Sequence, residues 1–237
     1  MGTSSDYTGG TGGAWTPYKH ASTNFLKRGG EPRADRVLAR YVAALGGAVA
    51  AATSGTGAFV GPAQGLADLG VGLATQGLTP TLEDLGLSHL VGADRYDVLD
   101  ALLERLAGDG STLEEQAVLS ALCEAFEELF PEDAESYGQL EQLSLDVDGL
   151  VALIEGFVVR WVYDRMLPTL GERLAHIEDP EVVRKRDSEL RERLGLLVKL
   201  QLEDRDPLTV DWSGAEGAEI LGKLVVELYE DMEELES

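Results

Sequence analysis

Residues 150–174 read LVALIEGFVVRWVYDRMLPTLGERL, the longest apolar stretch in the chain. Between Leu150 and Tyr163 only Glu155 and Arg160 carry charge. Val151, Ile154, Phe157, Val158, Trp161, Val162 and Arg165 follow three-and-four spacing, with Leu153 and Val159 apolar beside them. A helix that is apolar nearly all round is a buried helix. This segment is therefore the expected centre of the fold, with Trp161 and Tyr163 as core rings whose polar tips find partners. The run is too short and too interrupted by charge for a hydrocarbon core. Pro168 is expected to kink or restart the helix.

On the C-terminal side, Asp179-Pro180 opens a helix to about Leu202 with both signs of charge along it, which reads as a salt-bridged surface. Asp206-Pro207 breaks the chain, and Ser213 or Asp211 is placed to cap a last helix over about 215–235. On the N-terminal side, Asp146-Val147-Asp148 precedes the central helix and Tyr137 to Leu143 is a short helix or turn. Ser111-Thr112-Leu113-Glu114-Glu115 is a double capping-box signature. The helix it opens carries a stripe of Val118, Leu122, Ala125, Phe126 and Leu129 and stops at Pro131. Ala93 to Leu106 is amphipathic. Thr79 or Thr81 is placed to cap a short helix over Leu82–Leu87. Two further helices are expected, Pro32 to about Ala52 and Pro62 to Gln76, whose small residues let helices approach closely. No strand-length alternation stands out beyond Leu208–Val210. The expected class is all-α: a single irregular multi-helix bundle over 32–237 behind a flexible, Gly-rich, basic N-terminal tail over 1–31.

Charge is unevenly placed. The chain carries 19 Lys+Arg against 43 Asp+Glu, a formal net charge of −24. Residues 1–40 hold six Lys/Arg against three Asp/Glu, and the remainder 13 against 40, so +3 and −27. So acidic a body does not bind a phosphate backbone non-specifically. It suits a basic protein partner or keeps the molecule in solution. The stretch Val42–Ala67 has no charge, but its glycines and Pro62 make it too broken and too weakly hydrophobic to span a membrane. With no apolar segment at the N-terminus, the expected compartment is the cytoplasm.

Sites of chemistry are sparse. The single Cys123 excludes an internal disulfide and a multi-Cys zinc site, and its neighbours Leu119, Leu122 and Phe126 suggest a small buried hydrophobe. His20, His89 and His176 are far apart in sequence, so no metal site and no cofactor is expected. Asp146-Val147-Asp148-Gly149 resembles the start of a calcium loop, but the twelfth position is Phe157 rather than Glu. The tail glycines lack the following Lys-Ser/Thr of a phosphate loop, and no Gly-x-Ser-x-Gly elbow occurs. Nothing here points to an enzyme.

The N-terminus carries more. Met1 precedes a small residue, so methionine removal leaves the Gly2 amine free, and Asp6 stands where N-myristoylation needs Ser or Thr. Trp15 and Tyr18 beside Lys19 are aromatics in a basic arm, which dock on the body or on a partner. An alternative reading has Lys19, Lys27, Arg28, Arg33 and Arg36 contacting nucleic acid, against the sign of the body.

Met1-Gly2-Thr3-Ser4-Ser5 with its Gly-rich continuation to Ala14-Trp15 resembles the start of the QatB family, a component of the four-gene Qat anti-phage defence system of bacteria. The likeness continues through Tyr41-Val42 with Gly46-Gly47, Leu85-Gly86-Leu87, Leu90-Val91-Gly92 and Gly110 to Glu115. It extends through Glu127-Glu128-Leu129-Phe130 and the segment Leu208 to Gly217, with its Asp211-Trp212. The family often carries a longer Pro-rich insertion before the first helix, which is short here. The resemblance implies a non-enzymatic partner protein. Its expected partners are the system's predicted ATPase and an enzyme similar to the 7-cyano-7-deazaguanine synthases (QueC-like); a TatD-like nuclease completes the system. Synthases of that type activate a carboxylate with ATP and join it to an amine, which makes Gly2 a sensible modification site. Trp15, Tyr18, Lys19, Asp211 and Trp212 are the expected partner-binding residues.

Overall fold

The computed structural model describes residues 13–236 apart from 108–109, 133, 135, 176, 178 and 203–204. Its helices are α1 (Trp15–Arg28), α2 (Glu31–Ala44), α3 (Ala48–Thr75), α4 (Leu78–Asp84), α5 (Arg95–Leu106), α6 (Leu113–Leu129), α7 (Tyr137–Leu140), α8 (Val147–Leu174), α9 (Pro180–Gly195) and α10 (Ala215–Glu234). Short 3-10 turns lie at Ser88–Leu90 and Pro207–Thr209. The chain is all-α, and the described residues contain no strand; Leu208 sits in a 3-10 turn.

The central apolar segment is α8, and Leu150, Ile154, Phe157, Val158, Trp161, Val162 and Met166 are all buried in it. It runs unbroken through Pro168. Its start is fixed by Asp146, whose Oδ1 accepts the Gly149 N–H at 2.8 Å, so the carboxylate of the calcium-loop look-alike serves as a helix cap. The Thr112–Glu115 capping box forms as the sequence suggests: Thr112 Oγ1 accepts from Glu115 N at 3.1 Å, and Glu115 Oε2 accepts from Thr112 N at 3.1 Å.

The described chain divides into two compact units, where the sequence suggests one domain over 32–237. A 28-residue helix such as α3 or α8 is about 42 Å long at 1.5 Å per residue, more than one small core covers. The first unit takes in Met1–Thr56, Val159–Lys199 and Lys223–Ser237; the second takes in Gly57–Val158 and Leu200–Gly222.

In the first unit the expected tail gives way to α1. Trp15, Tyr18, Ala21, Ser22, Phe25 and Leu26 recur at helical spacing and are buried. Trp15 packs edge-on against Tyr18 at 5.7 Å, and Tyr18 lies 5.5 Å from the Tyr41 ring on α2. Helix α2 also ends earlier than expected. Gly46 and Gly47 take φ of +97° and +98°, which side chains resist, so the chain turns and restarts as α3. Three α9 residues make the contacts: Asp187 Oδ1 accepts from the Tyr163 hydroxyl on α8, Arg193 pairs with Asp35 on α2, and Arg191 lies 4.3 Å over the Tyr163 ring. Arg165 is buried between the rings of Trp161 (4.9 Å) and Tyr229 (5.8 Å) and donates to Ser54 Oγ at 2.8 Å. Glu236 bridges Arg36 at 3.0 Å and Arg40 at 2.5 Å, tying the C-terminus to α2.

In the second unit Phe59 and Phe157 stack at 5.5 Å with 15° between planes. Arg95, buried, donates Nε to the Phe130 carbonyl at 2.7 Å. Thr79 and Thr81 lie inside α4 rather than capping it; Thr81 donates back to the Gly77 carbonyl at 2.6 Å. The start of α10 is held by the Asp211 carbonyl, which accepts from Gly214 N at 3.2 Å and Gly217 N at 3.1 Å, rather than by a Ser213 or Asp211 side chain. Glycines placed inside α3 do not break it. A Cβ at Gly65 would lie 2.5 Å from Leu106 Cδ2, one at Gly70 2.6 Å from Leu150 Cδ1, and one at Gly72 2.6 Å from Thr81 Oγ1. Each bare position admits a neighbour, as the small-residue reading expects.

No single helix among the described residues is long and apolar enough to cross a membrane; α2 and α3 meet that criterion only as a pair, bent by 79°.

Candidate functional site

The charge asymmetry sharpens when counted by unit. The first unit holds 16 Lys+Arg against 17 Asp+Glu, a net −1; the second holds three Arg against 26 Asp+Glu, a net −23. Of those three arginines, Arg95 is buried on Phe130 and Arg205 pairs with Glu216. Arg105 is exposed and makes no ion pair among the described residues.

Arg105 lines a cleft of about 530 Å³ within the second unit. One face of α3 supplies the floor, through Gly57, Gly61 and Gly65 at four-residue spacing with Ala58 and Pro62 beside them. Leu85, Leu106 and Val118 give apolar walls, and Asp68, Glu115, Gln64 and Ser213 give polar ones. The segments Leu85-Gly86-Leu87, Gly110 to Glu115 and Asp211 to Gly217, distant in sequence, each send a residue to it. Gln64 holds the last of these: Nε2 donates to the Trp212 carbonyl at 2.6 Å and to the Gly214 carbonyl at 2.8 Å.

Partial burial, then the nearby carboxylates of Asp211 and Asp84, push the Asp68 carboxyl above its ordinary value. Asp68 accepts no hydrogen bond and makes no ion pair among the described residues. An acidic wall with apolar neighbours, and a guanidinium that makes no ion pair among the described residues, can bind a side chain of either polarity. No three His, Cys, Asp or Glu side chains among the described residues are placed to hold a metal ion. His20 and His89 are exposed on separate elements, and His176 lies outside the described residues. The first unit has its own, more apolar cleft of about 400 Å³, lined by Thr23, Leu26, Lys27, Arg173, Ile177 and Val182.

Gly2 lies outside the described residues. Trp15 and Tyr18 are 6% and 0% exposed and Trp212 is 1% exposed, its Nε1 donating to the Pro207 carbonyl at 2.9 Å. These three rings are core, and a buried ring offers a partner no surface. Lys19 is half-buried on α1, and Asp211 is exposed beside the cleft. Of the basic residues read as a nucleic-acid arm, Lys19, Lys27 and Arg28 sit on α1 and Arg33 and Arg36 on α2. Arg33 donates to the Gly29 carbonyl at 2.8 Å and Arg36 is paired with Glu236. Cys123 is half-buried rather than buried, and burial, then Glu127, pushes its thiol up. Sequence reading missed Gln64, Gly57, Gly61 and Arg105. A signal for the last was present: Arg105 is one of three cations among 26 acidic residues, conspicuous once the stretch is known to be one unit.

No curated protein and no solved structure matches the chain. A family does: the description "Qat anti-phage system associated protein QatB" matches residues 46–232, which include every element of the second unit and the cleft. The match covers well over half of the sequence, so the chain belongs to the QatB family and is a component of an anti-phage defence system.

Proposed function

We propose that the chain is a non-enzymatic partner protein of its defence system, one that offers its N-terminal glycine for modification while its helical body holds other components. The observation that carries this reading is the charge partition. Nearly all of the net charge, −23 of −24, belongs to the second unit, which leaves the part bearing the N-terminus close to neutral. A strongly acidic body selects basic protein partners and repels nucleic acid. The system's ATPase is the proposed occupant of that body. The synthase-like enzyme is proposed to act on the other end. A carboxylate on a deazapurine, activated by ATP, is attacked by the Gly2 amine. An amide forms, the activating group leaves, and the amine gives up a proton.

Intact-mass measurement of the chain, co-expressed with the rest of its system, tests this. The expected result is an added mass that maps to Gly2, lost in Gly2→Pro together with phage protection. An unmodified Gly2, with protection surviving Gly2→Pro, overturns it.

A further inference from the structure

The interior of α3 contains glycines of two kinds. Those at 55, 65, 70 and 72 are closely packed: a Cβ at each would fall 2.5 to 2.6 Å from a neighbouring side-chain atom, which would have to move. Gly57 and Gly61 are different: a Cβ at either would meet nothing within 4 Å. Glycine is the poorest helix former after proline, and neither residue has a positive φ to excuse it. Packing among the described residues gives no reason for bare backbone at these two positions. Both open onto the cleft, one turn apart, so an object entering the cleft would meet main chain there.

The occupant's chemistry follows from the walls. Asp68 makes no ion pair among the described residues, in a unit of net charge −23. A nucleic acid, an anionic lipid surface or a second copy of this unit would meet like charge. A segment bearing Arg or Lys would meet a complement. Leu85, Leu106 and Val118 leave room for an apolar side chain beside that cation, and Arg105 supplies a donor for a main-chain carbonyl of the incoming segment. A volume of about 530 Å³ lies within the range of small binding clefts and suits a few side chains rather than a domain.

We infer that the Gly57–Gly61 cleft is a docking groove for a basic segment of a partner protein, which lays an apolar side chain on the bare α3 backbone and sets an Arg or Lys against Asp68. This rests on the reading of the chain as a partner-binding body, and it names the surface.

The test uses the full-length chain and the purified protein products of the neighbouring genes, with affinity measured by titration at low and high salt. Gly61→Trp puts a large ring into the groove from a position where a Cβ meets nothing within 4 Å among the described residues. Gly195→Trp, at an equally open glycine on α9, is the control. Asp68→Lys reverses the wall charge at an exposed position. The groove predicts at least a tenfold loss of affinity in Gly61→Trp and in Asp68→Lys, no loss in Gly195→Trp, and weaker binding at high salt for the unaltered chain. Unchanged affinity in Gly61→Trp with an unchanged melting temperature overturns the groove and leaves the partner-protein reading standing. Binding of none of these proteins by the unaltered chain overturns both. A self-association that Gly61→Trp abolishes, seen by sedimentation, assigns the groove to a second copy and overturns the proposal.

Discussion

Gln64 and Trp212 are 148 residues apart in sequence, and the Gln64 side-chain amide donates to the Trp212 main-chain carbonyl at 2.6 Å. The same nitrogen reaches the Gly214 carbonyl at 2.8 Å, so one side chain on α3 pins the turn that starts α10. The Gly214 carbonyl also accepts from Ala218 N at 3.3 Å, so the Trp212 carbonyl is the one that loses its side-chain donor outright, at a cost of about 1–3 kcal/mol. Gln64→Leu keeps the bulk and loses the donor. Its unfolding free energy from urea titration should fall by that amount while the helical circular-dichroism signal remains. A change below about 0.5 kcal/mol, the ordinary scatter for surface sites, would show that the turn holds itself.

The glycines offer a comparison with opposite signs. Gly57→Ala and Gly61→Ala replace a poor helix former at open positions and should each raise stability by up to about 1 kcal/mol. Gly217→Ala should do the reverse. Its Cβ would lie 2.3 Å from the Trp212 carbonyl oxygen and 2.5 Å from the Trp212 Cα, backbone atoms that cannot rotate away. Forcing such an overlap costs about 1–3 kcal/mol or more. Thermal melts of the three variants give the answer, and a destabilised Gly57→Ala would mean that the open floor is filled in the folded chain.

The legible parts of this fold were those set by local pattern. The α8 core followed from an apolar run, and the α6 start from Thr112 and Glu115 three residues apart. The errors came where long-range contacts decide. Helix α1 looked like tail because its burial depends on Tyr41, which no local window contains. The glycines of α3 read as breaks because their propensity is poor; contacts with Leu106, Leu150 and Thr81 outweigh it. The cleft was illegible for the same reason. Its walls come from α3, the α4 end, α5, α6 and the turn before α10, and only the topology brings them together.

Asp68 makes a prediction with a defined sign. Its folded value is raised, so its contribution to stability is present below the unfolded carboxylate value and is lost as pH rises through the folded one. At neutral pH the ionised group therefore opposes folding. Asp68→Asn should raise the melting temperature at pH 7, and the gain should shrink as pH falls through the carboxylate range. A gain that is constant with pH, or a loss at pH 7, would show that neither its partial burial nor the Asp211 and Asp84 carboxylates raise its value.

Cys123 tests burial in the same unit by a different chemistry. The thiolate is the reactive species, and both desolvation and the Glu127 charge disfavour it on α6. Iodoacetamide should alkylate the folded chain slowly at pH 7–8, with a rate that keeps rising at pH values where an ordinary thiol has levelled off. In denaturing urea the rate and its pH profile should return to those of a free cysteine. Because Glu127 lies one turn from Cys123, Glu127→Gln should move the folded profile part of the way back, by less than the urea change, since burial is the larger cause. A folded profile centred at or below the ordinary thiol value would require a cation near the sulfur, which the acidic outer face of α6 does not provide.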